Sequence, residues 1–214
     1  MIDYVSGNRS VILEALTQHI WLSLVPVLVG AVLALPVGYL AVRYPRLYQP
    51  VVNLGGLIYS VPSLALFLTL PAVLGLQVLD PLNVVAALSL YTFALLTRTV
   101  ADALLSVQGQ TTQAAFALGF RPVRQLFGVE LPMALPVMLA GLRVATVSNI
   151  SLVSVSAFVG VPNLGALFTR GLQLDFVEPI VVGIVLSVLL AAICDIAIVA
   201  AQHRLTPWAR AGAR

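Results

Sequence analysis

Residues 113–132 read QAAFALGFRPVRQLFGVELP and form the most polar internal segment of a chain that is otherwise almost entirely apolar. The segment separates two apolar runs, each long enough to cross a bilayer. Thr111 or Thr112 can cap a short helix, and Gly119 can end it in a left-handed conformation. A second turn is expected to begin at Pro122 and to end before Pro132. The segment is therefore predicted to be a structured loop, at about residues 107–132.

The first predicted helix of this loop has one nearly bare face, because Ala114 and Ala115 carry small side chains. Another protein could approach the helix backbone closely on that face. We therefore predict that the loop is a docking site for another protein.

The composition is that of an integral membrane protein. Of the 214 residues, 60% are apolar and 9% are charged, and the mean hydropathy is +1.05, far outside the range of soluble domains. At roughly 20 residues per span there is room for about five or six helices. Residues 1–214 are therefore predicted to form one transmembrane domain with no separate soluble domain.

Several classes of chemistry are excluded or disfavoured by what the sequence lacks. It has no lysine and no phosphate-binding glycine-rich loop, so we expect no nucleotide-binding domain, and any energy input must come from a partner. Its single cysteine, Cys194, excludes an intrachain disulfide and argues against a metal cluster. We expect no cofactor and no catalytic residues.

The apolar runs predict an all-α fold with five spans, at about residues 20–42, 51–74, 81–105, 133–159 and 179–201. A short interfacial helix at 11–18 should precede the first span, which should be retained because the start of the chain does not resemble a cleaved signal peptide. Asp80 and Pro81 should cap and begin the third span. The stretch Ser60-Val61-Pro62-Ser63 should kink or break the second span and leave carbonyl groups facing a neighbour or a pathway, with Pro62 and Ser63 as predicted pathway residues.

The fourth span is the most polar of the five. Its polar side chains recur at helical spacing, which is typical of a wet helix that lines a pathway or of a helix that hydrogen-bonds tightly packed neighbours. An arginine inside an apolar run is costly unless it faces water or a partner, so we predict that Arg143 contributes to a gate. Asp195 in the last span is its expected counter-charge, with Asp102 second. The predicted lining residues of this span are Ser148, Asn149, Ser151 and Ser154.

Arg98 and Asp102 lie four residues apart near the far end of the third span, on one helix face. Such a pair can form part of a gate if it lies within the hydrocarbon, or Arg98 can reach the membrane–water interface by snorkelling. Both readings stay open on the sequence alone.

The arginines predict the orientation of a multi-pass plasma-membrane protein. If the loop at 113–132 is cytoplasmic, the N-terminus lies outside and the C-terminus inside, and seven arginines lie inside against two outside. The inside set is Arg43, Arg46, Arg121, Arg124, Arg204, Arg210 and Arg214, and the outside set is Arg9 and Arg170. The opposite orientation would violate the positive-inside rule.

A family resemblance lies in the spacing of Gln113-Ala114-Ala115, then Gly119, then nine residues, then Val129-Glu130-Leu131-Pro132. This pattern resembles the Glu-Ala-Ala loop of ABC-importer permeases, with glutamine for the family's glutamate and valine for its isoleucine. The resemblance implies an all-α, type I importer permease (MetI-like) architecture and an ABC ATPase partner. The implied ATPase-coupling residues are Gln113, Ala114, Ala115, Gly119, Leu131 and Pro132.

The resemblance extends over nearly the whole chain to osmoprotectant importers of the glycine betaine/choline class. It rests on Thr17-Gln18-His19, on residues 61–66, and on Ala140-Gly141-Leu142-Arg143 with Ala157-Phe158-Val159-Gly160, whereas Val161-Pro162-Asn163 departs from the usual outer loop. The implied function is the permease subunit of an ATP-driven importer for glycine betaine, choline or carnitine. A second permease copy or paralogue, a separate extracytoplasmic binding protein and membrane lipid are the implied partners, and no nucleic acid.

The alternatives are a methionine- or other amino-acid-type importer permease and, more distantly, a secondary transporter or an intramembrane enzyme. The sequence leaves open which substrate is carried and whether the two permeases are identical. It also leaves open whether Arg143, Arg98, Asp102 and Asp195 form a gate or only packing contacts.

Overall fold

A computed structural model describes residues 1–107 and 109–211, apart from the side chains of Ile2, Arg210 and Ala211. Within these residues, every regular element is a helix. The predicted all-α class is therefore confirmed. Of the arginines predicted to lie inside, Arg214 and the side chain of Arg210 are not in the described part of the chain.

The helices follow one another with short connections. They are α1 Ile2–Gly7, α2 Arg9–Arg43, α3 Pro45–Ser60, α4 Ser63–Leu74, α5 Pro81–Val107, α6 Gln110–Ala117, α7 Pro122–Gln125, α8 Leu131–Val153, α9 Gly165–Gln173, α10 Val177–Leu205 and α11 Trp208–Ala211. A π-helical turn, Leu126–Glu130, precedes α8, and a 3₁₀ turn, Ser154–Val159, follows it.

Four of these helical segments are long and apolar enough to cross a membrane, and the bent pair of α3 and α4 can be a fifth span. The first span differs from the prediction, because α2 is continuous from Arg9 and includes the residues expected to form a separate interfacial helix. Neither glycine nor proline occurs between Ser10 and Val25, so no residue there ends the helix. Pro26 and Pro36 lie inside α2, as membrane helices allow when neighbours satisfy the freed carbonyl groups.

The second span is broken where the sequence predicted a break. α3 and α4 meet at 106° across Val61 and Pro62. Proline disfavours the α conformation in the residue before it, and Val61 accordingly adopts φ −67° and ψ 131°. The Tyr91 hydroxyl on α5 donates a hydrogen bond to the freed Val61 carbonyl at 2.5 Å.

α5 lies at the centre of the bundle and packs along α2 on one side and against α8 on another. Glycines allow the close approach to α2, since a Cβ atom at Gly30 would lie 2.5 Å from the Thr92 Cβ and one at Gly38 would lie 2.7 Å from the Val100 Cβ. Small residues serve this purpose in membrane bundles, where van der Waals packing drives helix association. Asp80 caps α5 as predicted, with its Oδ1 accepting a hydrogen bond from the Leu82 N–H at 2.8 Å.

The chain from Pro122 to Val159 forms one long helical segment. The expected end before Pro132 was therefore wrong. Pro132 would clash with the carbonyl group four residues earlier in a regular α-helix. The π-helical turn, in which the Leu131 N–H bonds the Leu126 carbonyl, relieves that conflict. Gly160, at φ 91°, ends the segment as predicted.

Candidate coupling loop and transport pathway

The loop begins with two glycines in positive-φ conformations around α6. Gly109 (φ 101°) precedes the helix, and Gly119 (φ 79°) follows it. Gly119 was predicted in this role, whereas the predicted caps were wrong: the N-cap position is Gly109, and Thr112 Oγ1 donates a hydrogen bond to the Gly109 carbonyl at 3.0 Å. A residue in a left-handed conformation is usually glycine, because a Cβ atom is strained there.

The loop exposes four large apolar side chains. Phe116 and Leu118 are each 78% exposed, Val123 is 70% exposed and Phe127 is 66% exposed. We refer to these four residues as the loop face. Apolar side chains of this size in the most polar internal segment of the chain were the signal that the sequence analysis missed.

Ala115 does not belong to the loop face. It is only 5% exposed and packs inside the chain, whereas Ala114 and Gln113 are exposed. The predicted bare face of α6 is therefore corrected: a partner would meet large apolar side chains beside Ala114, whereas Ala115 is buried.

The other predicted coupling residues anchor the loop. Leu131 packs against a buried cluster that includes Val100, Leu104 and Met138, and Pro132 is half-buried. A cavity of about 390 Å³ separates the loop from the ends of α2 and α5, with Arg43, Gln113 and Glu130 among its lining residues. The Gln125 amide donates to Glu130 Oε1 at 2.8 Å.

Asn149, a predicted pathway residue, is buried at 2% exposure. Its amide nitrogen donates to Thr92 Oγ1 on α5 at 2.9 Å and lies 3.4 Å from the Ser23 carbonyl on α2. The position favours interhelical hydrogen bonding, the alternative that the sequence left open, over a role in lining a pathway.

His19 forms a second buried polar link between α2 and α8. Ser154, at the start of the 3₁₀ turn, donates its backbone N–H to the Ser151 and Leu152 carbonyls, which leaves the Ile150 carbonyl without its usual helical partner. The His19 Nε2 lies 3.0 Å from that carbonyl and donates to it. A lone histidine in an apolar span was the sequence signal for this contact.

The serines predicted to line a pathway do not all lie on the same cavity. Ser151 and Ser154 border a cavity of about 310 Å³ between α8, α9 and α10, together with Ser187. Ser148 is half-buried and does not line that cavity. Pro62 is exposed and Ser63 is half-buried at the bend between α3 and α4.

Arg143 and Asp195 form a bidentate ion pair between α8 and α10. Arg143 Nε donates to Asp195 Oδ1 at 2.7 Å, and an Nη donates to Oδ2 at 2.9 Å. The pairing was predicted. Arg143 lies one residue from the middle of α8, and the two side chains remain 39% and 32% exposed. The pair is therefore deep along the span but still accessible from one side.

The second candidate for that pairing, Asp102, has different partners. Arg98 Nε lies 3.5 Å from Asp102 Oδ2, as the four-residue spacing predicted. The Tyr48 hydroxyl on α3 donates to Asp102 Oδ1 at 2.6 Å. Among the described residues, no three His, Cys, Asp or Glu side chains lie close enough together to hold a metal ion.

Known proteins match this chain over nearly its whole length. A family model described as a binding-protein-dependent transport system inner membrane component matches residues 16–207. The chain is 32% identical over 209 residues to the osmoprotectant import permease protein OsmW of Salmonella typhimurium, covering 96% of this chain and 97% of that protein. It is 31% identical over 205 residues to the glycine betaine/carnitine/choline transport system permease protein OpuCD of Bacillus subtilis, covering 95% and 88%.

Solved structures have the same fold. A chain of the MetNI methionine ABC transporter in an inward-facing conformation superimposes with a TM-score of 0.84 at 21% identity, covering 94% of this chain and 98% of that chain. A chain of an amino acid ABC transporter with histidines superimposes with a TM-score of 0.77 at 15% identity, covering 94% and 97%. These likenesses confirm the predicted importer-permease architecture.

Proposed function

The chain belongs to the family of binding-protein-dependent transport system inner membrane components, and from this premise we propose that it imports small quaternary ammonium osmoprotectants. It is a multi-pass inner-membrane permease subunit of an ABC importer and performs no catalysis itself. The observation that carries the proposed substrate class is the 32% identity to an osmoprotectant permease over 96% of the chain. Glycine betaine, choline and carnitine are the proposed substrates, by analogy with the relatives.

Energy reaches the permease through the loop. The proposed contact with the ATPase subunit is the loop face, because four large apolar side chains on a polar loop are typical of a protein interaction site. Gln113, Ala114 and Gly119 lie on exposed parts of the same segment, while Ala115, Leu131 and Pro132 support it from behind. Movement of the ATPases would then be transmitted through Leu131 into α8.

The Arg143–Asp195 pair is the proposed gate. A charged side chain near the middle of a span is costly when it faces lipid, and both side chains are partly exposed on the isolated chain. This part of the surface therefore meets either water or a second permease subunit. Ser148 and Ser151 follow Arg143 on α8, and Ser154 begins the 3₁₀ turn after it. These three serines supply the polar surface that a passing substrate needs.

The proposed orientation places the loop in the cytoplasm, the N-terminus outside and the C-terminus inside. It rests on the seven-to-two distribution of arginines. Arg43 supports it, since its side chain lines the cavity beside the loop. A binding protein would then deliver substrate on the side of residues 160–178.

Transport assays test the proposed substrate class. The permease, its ATPase and its binding protein would be produced together in a host that lacks quaternary ammonium uptake, and labelled glycine betaine, choline, carnitine and methionine would be supplied. ATP-dependent uptake of at least one quaternary ammonium compound is expected. Uptake of methionine alone would replace this proposal with the amino-acid alternative, for which the fold likeness to a methionine transporter is the supporting observation.

A further inference from the structure

A groove of about 430 Å³ runs between α3 and α5, apart from the Arg143–Asp195 pair. Its volume lies in the ~300–1,000 Å³ range of small-molecule sites. Small residues form part of its wall, and a Cβ atom at Gly56 would meet no atom within 4 Å. Its lining residues include Gly56, Tyr59, Arg98 and Asp102. We refer to this feature as the α3/α5 groove.

The groove is not a lipid-facing surface. The side chains of Arg98 and Asp102 are 66% and 44% exposed. Arg98 lies four residues beyond the middle of α5, or about 6 Å along the helix axis. Charges at that depth avoid hydrocarbon. The exposed side of α10 is apolar by contrast, with residues such as Val188, Ile193 and Ile196.

Of the two charged side chains in the groove, Arg98 is the one that can still bind a ligand. Asp102 is held on both oxygens, by the Tyr48 hydroxyl at 2.6 Å and by Arg98 Nε at 3.5 Å. Among the described residues, Arg98 makes this ion pair and no hydrogen bond. Its guanidinium therefore keeps its planar donor geometry for a second carboxylate, which it can bind with two parallel hydrogen bonds. Asp102 orients Arg98 and is not itself free for a ligand.

An aromatic ring lies in the same groove. Tyr59 is 42% exposed, and its ring is held at 75° to that of Tyr91 with the centroids 5.6 Å apart. Tyr91 is itself fixed by its hydrogen bond to the Val61 carbonyl at the break between α3 and α4. A fixed and partly exposed ring suits a quaternary ammonium group, which is attracted to the π face.

We propose that the α3/α5 groove binds zwitterionic betaines during passage, with the carboxylate on Arg98 and the quaternary ammonium group against Tyr59. This inference rests on the proposed function and deepens it. Glycine betaine and carnitine carry both groups, whereas choline carries only the ammonium. The groove is thus a selectivity site in the permease that distinguishes betaines from choline.

The test compares two substrates in one preparation. Wild type, Arg98→Gln and the control Arg204→Gln, which changes an exposed arginine on α10, would be reconstituted in vesicles with the ATPase and the binding protein. Uptake of glycine betaine and of choline gives KM and kcat for each. Loss of a hydrogen-bonded ionic contact should lower kcat/KM for glycine betaine in Arg98→Gln by about 10- to 100-fold. Choline uptake should remain close to that of wild type, and Arg204→Gln should change uptake of neither substrate.

Tyr59 and Gly56 supply independent variants. Tyr59→Leu should weaken uptake of both substrates, because both carry the ammonium group, and Tyr59→Phe should retain it. Gly56→Leu should obstruct passage of both substrates by filling the groove without removing a charge.

Three results would overturn the inference while leaving the proposed function standing. The first is an equal loss of uptake of both substrates in Arg98→Gln, which indicates a packing role. The second is unchanged uptake of both substrates in that variant, and the third is a wild type that carries choline but no betaine. A wild type that carries no quaternary ammonium compound removes the proposed function, and the inference with it.

Discussion

Substitution of Leu118 by alanine should weaken binding of the ATPase subunit without unfolding the permease. Leu118 is 78% exposed and belongs to the loop face. Its backbone, at φ −80° and ψ 4°, lies in a region that alanine also adopts. The change therefore removes apolar surface from the proposed interface and leaves the loop conformation intact.

The expected loss of binding free energy follows from the size of the Leu118 side chain. Replacement of leucine by alanine removes three carbon atoms, worth about 2.4 kcal/mol when fully buried at ~0.8 kcal/mol per CH₂. Since 78% of Leu118 is still available for burial by a partner, the expected loss is about 2 kcal/mol, or about 30-fold in the dissociation constant. An exposed side chain that contacts no partner would change stability by less than about 0.5 kcal/mol.

The assay is a titration of the purified permease with fluorescently labelled ATPase. Leu172→Ala is the matched control, because Leu172 is 72% exposed on α9, at the opposite end of the bundle from the loop. Thermal unfolding of both variants should match that of wild type. If Leu118→Ala binds the ATPase within twofold of Leu172→Ala, the loop face is not the docking surface and the reasoning fails.

Three other expectations concern topology, the gate and the bundle. In a cysteine-free background, Leu172→Cys should react with a membrane-impermeant thiol reagent added outside cells and Arg204→Cys should not, because the distribution of arginines predicts that orientation. Labelling of Arg204→Cys alone would reverse the topology. Arg143→Asp should abolish uptake by leaving two carboxylates together, and the exchange Arg143→Asp with Asp195→Arg should recover part of it; normal uptake and basal ATPase activity in Arg143→Gln would exclude a gating role. Asn149→Leu should lower thermal stability, since its amide joins α5 to α8, by about 0.6–1.7 kcal/mol; an unchanged melting temperature would show that this hydrogen bond contributes nothing.

Some of the candidate site was predictable because few residues compete for the same role. Arg143 and Asp195 are isolated charges in long apolar runs, and their pairing satisfies both. Arg98 and Asp102 pair through local helix geometry. In contrast, Asn163 lies in the stretch that departs from the family's usual outer loop, and the sequence did not indicate that it is fully buried and donates a hydrogen bond to Ser156.

The burial of Ala115 and the exposure of Leu118 illustrate what the loop sequence left undecided. Both are small or apolar residues in one short segment, and either could contact a partner. The packing of α6 against α7 and the π-helical turn Leu126–Glu130 decides between them. That packing depends on how the chain folds back after Gly119, which the residues of α6 alone do not set.

The amino-acid sequence by itself determined the membrane location, the span order, the break at Val61 and Pro62, and the ends of helices at Gly119 and Gly160. These features depend on local properties: the length of apolar runs, the missing N–H of proline and the conformational freedom of glycine. Only the tertiary structure decided which polar residues are buried and which line a surface. It brought Tyr48 to Asp102 and Tyr59 to Tyr91 through the packing of α3 on α5, and the rotation of one helix against another is set by contacts all along their length.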